Sequence, residues 1–146
     1  MKEFGERAEL LAADKLRLLG YVVDVVGFRG KADLLIRHES FDGVLLTAEV
    51  KAARLSEISG RQVGYQFLLD KVGYSAPIVE DVLLLACVDG GAVLGWFVIP
   101  SLQVVGQHKL AISSRNPMDY CGRWSKFRER WELLPILFQL NCIINA

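Results

Sequence analysis

The run Val82-Leu83-Leu84-Leu85-Ala86-Cys87-Val88 constrains the fold more than any other stretch of this 146-residue chain. It is uninterrupted, of strand length, without a polar face, and closed by the turn Asp89-Gly90-Gly91. Such a run suits a central strand covered on both sides. Ala92 to Ile99 reads as the next strand, ended by Pro100, and the two are expected to form a hairpin. Pro100 to Gln103 is expected to start a short helical turn, and Lys109 to Ser113 to form a small strand.

The N-terminal segment carries a different period. Phe4, Ala8, Leu11, Ala12, Leu16 and Leu19 recur at helical spacing, and Gly20 is a suitable stop. Three glutamates share this helix. Glu6 lies almost opposite the apolar stripe, and Glu3 and Glu6 read as a solvated face. Glu9 lies about 100° from the stripe's centre, close enough to reach inward at the rim of a sheet. A surface partner for a nearby Arg or Lys is its other reading.

Three strands are expected to follow: Tyr21 to Val26, the run through Asp33-Leu34-Leu35-Ile36, and Val44 to Lys51. His38 to Gly43 reverses the chain, with Asp42-Gly43 as the turn signal. The last two strands then form an antiparallel pair that brings Asp33 near Glu49. Alternate residues of a strand share a face, so Glu49, Lys51 and Thr47 point one way, and Val50, Ala48 and Leu46 point into a core. Opposite charges on one face of an apolar strand need a reason, because buried charge is costly unless paired or bound to metal. Two readings are open. Either Glu49 and Lys51 are a structural ion pair, or Asp33 and Glu49 ligate a cation and Lys51 serves a nucleophile.

A helix with Glu9, a strand, a strand with Asp33 and a strand with Glu49-Val50-Lys51 together resemble the PD-(D/E)-x-K nuclease superfamily. The opening Glu9-x-x-Ala12-x-x-x-Leu16-x-x-x-Gly20-Tyr21 is similar to small Holliday-junction-resolvase-like members. Ala32 stands where a proline often precedes the aspartate. The resemblance implies an α/β fold with a restriction-endonuclease-like αβββαβ core, its mixed central sheet flanked by helices. It implies that Asp33 and Glu49 bind metal, that Lys51 is the catalytic lysine and that Glu9 assists. The Val50 carbonyl is a further candidate ligand. Carboxylate oxygens suit Mg²⁺ or Mn²⁺. Such an ion polarises a phosphodiester and activates water.

Ser56 to Lys71 is expected to hold the second core helix, with Val63 and Phe67 on one face, although Gly64 weakens it. Gln62 and Gln66 lie four apart on that helix. By analogy with related nucleases one of them, with Gln66 favoured, joins the catalytic site, and Arg61 contacts the DNA backbone. Arg123 to Leu134 is expected to be a helix stopped by Pro135, with Trp124, Phe127 and Trp131 in the core. Ile136 to Ile144 is apolar and of open form, suited to a core or a subunit contact.

Composition agrees with one domain spanning residues 1–146, with no repeat or linker-like tract. No apolar stretch is long enough to span a bilayer, and Met1-Lys2-Glu3 opens a charged helix, not a signal peptide. Cys87, Cys121 and Cys142 are odd in number and scattered, which fits neither a zinc site nor a disulfide framework. A reducing cytoplasmic location is the expectation. His38 and His108 lack metal-ligand spacing. Seventeen basic residues balance seventeen acidic ones, so affinity for a polyanion must come from local charge. Arg29 and Lys31 beside Asp33, and Arg123, Lys126 and Arg130 among aromatics, are the candidate phosphate contacts; the last three equally suit a solvated helix face. A homodimer or higher homo-oligomer would enlarge the footprint and suit cutting two strands. The expected function is a metal-dependent endodeoxyribonuclease in recombination or repair, homing or restriction, with DNA as partner. The alternatives are a nuclease-like module that binds nucleic acid or protein without cutting, and a plain structural domain.

Overall fold

The computed structural model describes residues 2–26, 32–69 and 80–144. Helix α1 (Lys2–Leu18) is followed by strands β1 (Val22–Val25), β2 (Leu34–Arg37) and β3 (Leu46–Arg54). Strands β4 (Ser56–Ser59), β5 (Gln62–Leu68), β6 (Val82–Asp89), β7 (Ala92–Pro100) and β8 (Lys109–Ile112) come next, and helix α2 (Leu133–Ile144) is the last described element. A five-stranded mixed sheet has the order β1-β2-β3-β6-β7, and β4-β5-β8 form a second, three-stranded sheet. The fold is therefore α/β, with a mixed central sheet.

Strand β6 is the buried centre that its sequence demands. It runs parallel to β3 and antiparallel to β7, and every residue from Val82 to Val88 is buried. Its alternate side chains serve two cores. Val82, Leu84, Ala86 and Val88 pack with Ala8, Ala12, Ala13 and Leu16 of α1 and with Leu134 and Phe138 of α2. Leu83, Leu85 and Cys87 pack with Tyr65 and Phe67 of β5 and Leu110 and Ile112 of β8. Helices thus cover one face and the small sheet covers the other. α1 ends at Gly20, whose φ of +98° a side-chain-bearing residue rarely adopts.

Among the described residues two expected helices are absent. Over the described part of 56–71 the chain forms the β4–β5 hairpin instead. Gly60, at φ +58°, makes the turn, and Tyr65, Phe67 and Leu69 alternate inward with period two. Val63 and Phe67 satisfy a helical spacing as well, which is why the sequence misleads. Gly64 fits the strand because a Cβ there would stand 2.2 Å from the Ile112 carbonyl oxygen. The pairing strand β3 also runs three residues beyond Lys51, to Arg54.

The segment after Arg123 contains only a 3-10 turn, Ser125–Phe127, before α2 begins at Leu133. Trp124, Phe127 and Trp131 are buried as expected, but not on one face. Trp124 and Phe127 enter the core beneath the small sheet, whereas Trp131 enters the helix-covered core. One straight helix cannot serve both sides of a sheet. The chain instead wraps the outer edge of β7, bridging Arg128 to Phe97, with Glu129 N–H donating to the Trp96 carbonyl at 2.8 Å. Pro135 lies in the first turn of α2, where its missing N–H costs nothing, and so begins a helix instead of stopping one.

Glu129 closes this wrap at a positive φ of 51°. Its carboxylate accepts from Trp96 N–H at 2.7 Å and from Trp131 Nε1–H at 2.9 Å. Replacing it by Ala leaves two part-buried donors without that acceptor. Glu129→Ala is expected to lower stability by about 2–3 kcal/mol, seen as a lower urea midpoint with an unchanged slope.

Candidate functional site

Asp33 stands where β2 stops pairing with β3. Leu34 is in register with Ala48, so one step back places Asp33 beside Glu49. Its N–H donates to the Ala48 carbonyl at 3.0 Å, and its carbonyl accepts from Val26 N–H at 2.9 Å. Its Oδ2 accepts from Val50 N–H at 2.7 Å. The carboxylate thus takes the place that a further β2 carbonyl would hold. β3 continues from Ala48 to Arg54 with β6 on one side, and among the described residues no strand pairs with its other edge beyond Ala48, which leaves a notch there. The carbonyl of a strand residue leaves on the same edge as its N–H, so the Val50 carbonyl also faces this notch.

Glu49 and Lys51 are in register with Leu83 and Leu85, so their side chains project from the face that bears the small sheet. Lys51 Nζ lies 3.7 Å from Glu49 Oε1, and both side chains are about one-fifth exposed. Thr47, next in line, is held by Asp81. Its N–H and hydroxyl donate to Asp81 Oδ2 at 2.8 and 3.1 Å. An acid directly before an apolar strand was the sequence signal for this clamp, and it went unread.

Glu9 joins them from α1. The buried residues of the helix are Ala8, Ala12, Ala13 and Leu16, while Leu11 is 45% exposed. The buried face is therefore turned toward Glu9, which lies within about 40° of its centre. Its carboxyl is raised to about 7, first by burial, then by the charge of Asp33 and a hydrogen bond to it, and then by Glu49. An isolated Glu49–Lys51 pair would need neither Glu9 nor Asp33. The notch instead collects three carboxyl groups against one ammonium.

Among the described residues no three His, Cys, Asp or Glu side chains already form a metal cage. The donor set still suits a hard divalent cation. Mg²⁺ keeps several waters and takes one or two carboxylates. Glu9 retains its proton through burial first and then through the charges of Asp33 and Glu49, and a cation would relieve the second cause.

The remaining expected contacts scatter. Arg29 and Lys31 lie outside the described residues. Arg61 sits at the β4–β5 turn and Gln62 opens β5; both are exposed, as is Gln66. Without the expected helix, Gln66 reaches outward from a strand. The Arg123 guanidinium lies over the Trp124 ring at 4.4 Å, Lys126 Nζ over Phe127 at 5.3 Å, and Arg130 pairs with Glu132. These three stand at the β7 edge, two strands away from β3.

The fold belongs to a class seen in nucleases. A solved structure described as a bacterial homing endonuclease, I-Ssp6803I, superposes with a TM-score of 0.66 at 18% sequence identity, covering 97% of this chain and 93% of that one. No family model matches the sequence. No curated protein matches it either.

A Glu whose folded-state pKa lies above its ordinary 4.5 binds its proton more tightly when folded. Its contribution favours folding at low pH and is lost as pH rises from about 4.5 through about 7. In metal-free protein, Glu9→Gln is therefore expected to match wild type at pH 4 and to exceed it at pH 8. The gain is about 1–2 kcal/mol once solvent screening is allowed for, checked by urea melts at both pH values.

Proposed function

We propose that this protein is a metal-dependent endodeoxyribonuclease of the PD-(D/E)-x-K type, cutting DNA in recombination or repair, homing or restriction. The convergence of Glu9, Asp33, Glu49 and Lys51 at the β2–β3 notch carries this reading. Asp33 and Glu49, with the Val50 carbonyl, would hold Mg²⁺ or Mn²⁺. The bound ion would polarise the scissile phosphate and lower the cost of forming hydroxide. Val50 N–H holds Asp33 by its Oδ2, and the Glu9 proton that bonds Asp33 would leave as a cation binds. Lys51, paired with Glu49, would orient the attacking water and offset charge on the phosphoryl oxygens. Glu9 assists by giving up its proton when a cation arrives.

The test is incubation with linear, plasmid and branched DNA in Mg²⁺, Mn²⁺ or EDTA. Cleavage is expected with either ion and not in EDTA. Asp33→Asn, Glu49→Gln and Lys51→Ala are each expected to lower the rate at least 100-fold with the melting temperature little changed. Calorimetry separates their roles: the two carboxylate variants lose metal uptake, and Lys51→Ala keeps it. Metal-independent DNA binding without cutting would instead mark a binding module.

We also propose that the chain acts as a homodimer or higher homo-oligomer in the cytoplasm. No described helix is long and apolar enough to cross a membrane, and Cys87, Cys121 and Cys142 are free thiols. α2 carries no charged residue, and Ile136, Leu140, Ile143 and Ile144 are 50%, 47%, 74% and 75% exposed along it. An exposed helix face that is mostly apolar calls for cover, which a second copy would supply. Sedimentation velocity is expected to show an oligomer that Leu140→Asp converts to monomer.

A further inference from the structure

We propose that the outward face of β5, together with β8, is a base-reading surface that lies in the major groove beside the cut and recognises A·T pairs. This rests on the DNA reading above and deepens it.

The placement comes from chain continuity. β3 carries Glu49 and Lys51 and passes through Leu55 directly into the β4–β5 hairpin. The small sheet covers the same face from which Glu49 and Lys51 project. A duplex presented to Lys51 therefore meets the hairpin as its immediate neighbour. A narrow antiparallel ribbon is one of the shapes that the major groove admits.

The side chains suit reading, not only adhesion. Tyr65 and Phe67 point into the core, so Gln62, Gln66 and Leu68 share the opposite face. Gln62, Gln66 and Leu68 are all exposed, Leu68 at 56%. Register sets Gln66 against Ala111 and Leu68 against Lys109 of β8. Gly64 lies between the two glutamines and is buried, with the Ile58 side chain packed over it, so the amides flank an apolar step. Glutamine pairs in bidentate fashion with adenine N6 and N7, and small apolar groups such as Ala111 and Leu68 accept the thymine methyl. Among the described residues of β4, β5 and β8 the acid is Glu57, which pairs opposite Val63 on the other face. Arg61 at the turn and Lys109 on β8 are placed to meet phosphates. Four residues of strand span about 13 Å, so the two glutamines would address pairs about three to four steps apart.

The experiment reads binding, not cleavage. Duplexes bound by the full chain in EDTA are selected from a random pool and sequenced. Wild type is expected to enrich A·T at two positions about three to four steps apart. Gln66→Ala is expected to lose the preference at one of them, and Gln62→Ala at the other, each by about ten-fold, with affinity for random duplex nearly unchanged. Substituting 7-deazaadenine at the Gln66 position should weaken wild-type binding to the same extent and leave the Gln66→Ala variant unaffected. Preferences that survive both substitutions, or a uniform loss of affinity, would overturn the proposal. So would a change in sedimentation in place of a change in preference, which would make this face a contact between copies. Selective binding without cutting under Mg²⁺ would leave the base-reading surface standing and remove the nuclease reading alone.

Discussion

The candidate site depends on one hydrogen bond, from Val50 N–H to Asp33 Oδ2. Had the residue at position 33 offered only its backbone, β2 and β3 would continue to pair or separate without order. The carboxylate ends the ladder and at the same time satisfies the first amide that the ending exposes. Among the described residues the β2–β3 ladder therefore stops at Ala48 without an orphaned donor at its end. Glu49 and Lys51 border the notch there, and α1 brings Glu9 to it. A residue that shapes the opening is thus also the residue proposed to hold its occupant.

The electrostatics follow from this crowding. Lys51 balances one carboxylate, and the others compete for what remains. Glu9 keeps its proton to higher pH than an ordinary glutamate, first because it is buried and then because Asp33 and Glu49 stand near it. Folding alone does not favour such an arrangement, since like charges at close range oppose the compact state. Such clustering of perturbed acids is the physical reason for proposing chemistry here and not packing alone.

Much of this was legible in the sequence, for reasons that can be named. The run Val82 to Val88 has no polar face and could only be a strand with cover on both sides. Asp42-Gly43 fixed the reversal, and the reversal fixed the register that puts Asp33 beside Glu49. α1 was legible as a helix, but its roll was not, because Leu11 and Leu19 are as apolar as the residues that are buried. The β4–β5 hairpin was missed because Val63 and Phe67 satisfy two periods at once; the Gly60-Arg61 turn and the alternation of Tyr65, Phe67 and Leu69 were the better guide. The segment around Trp124 was missed for a deeper reason. Spacing reports which residues are buried, not which of two cores receives them.

That last segment has a consequence for how the molecule melts. Its first aromatics are rooted on one side of the sheet and Trp131 on the other, with Glu129 fastened to the rim between them. Neither layer can loosen without pulling on the strap that holds its neighbour. Two apolar compartments separated by a wall of strands are thereby tied into a single cooperative unit.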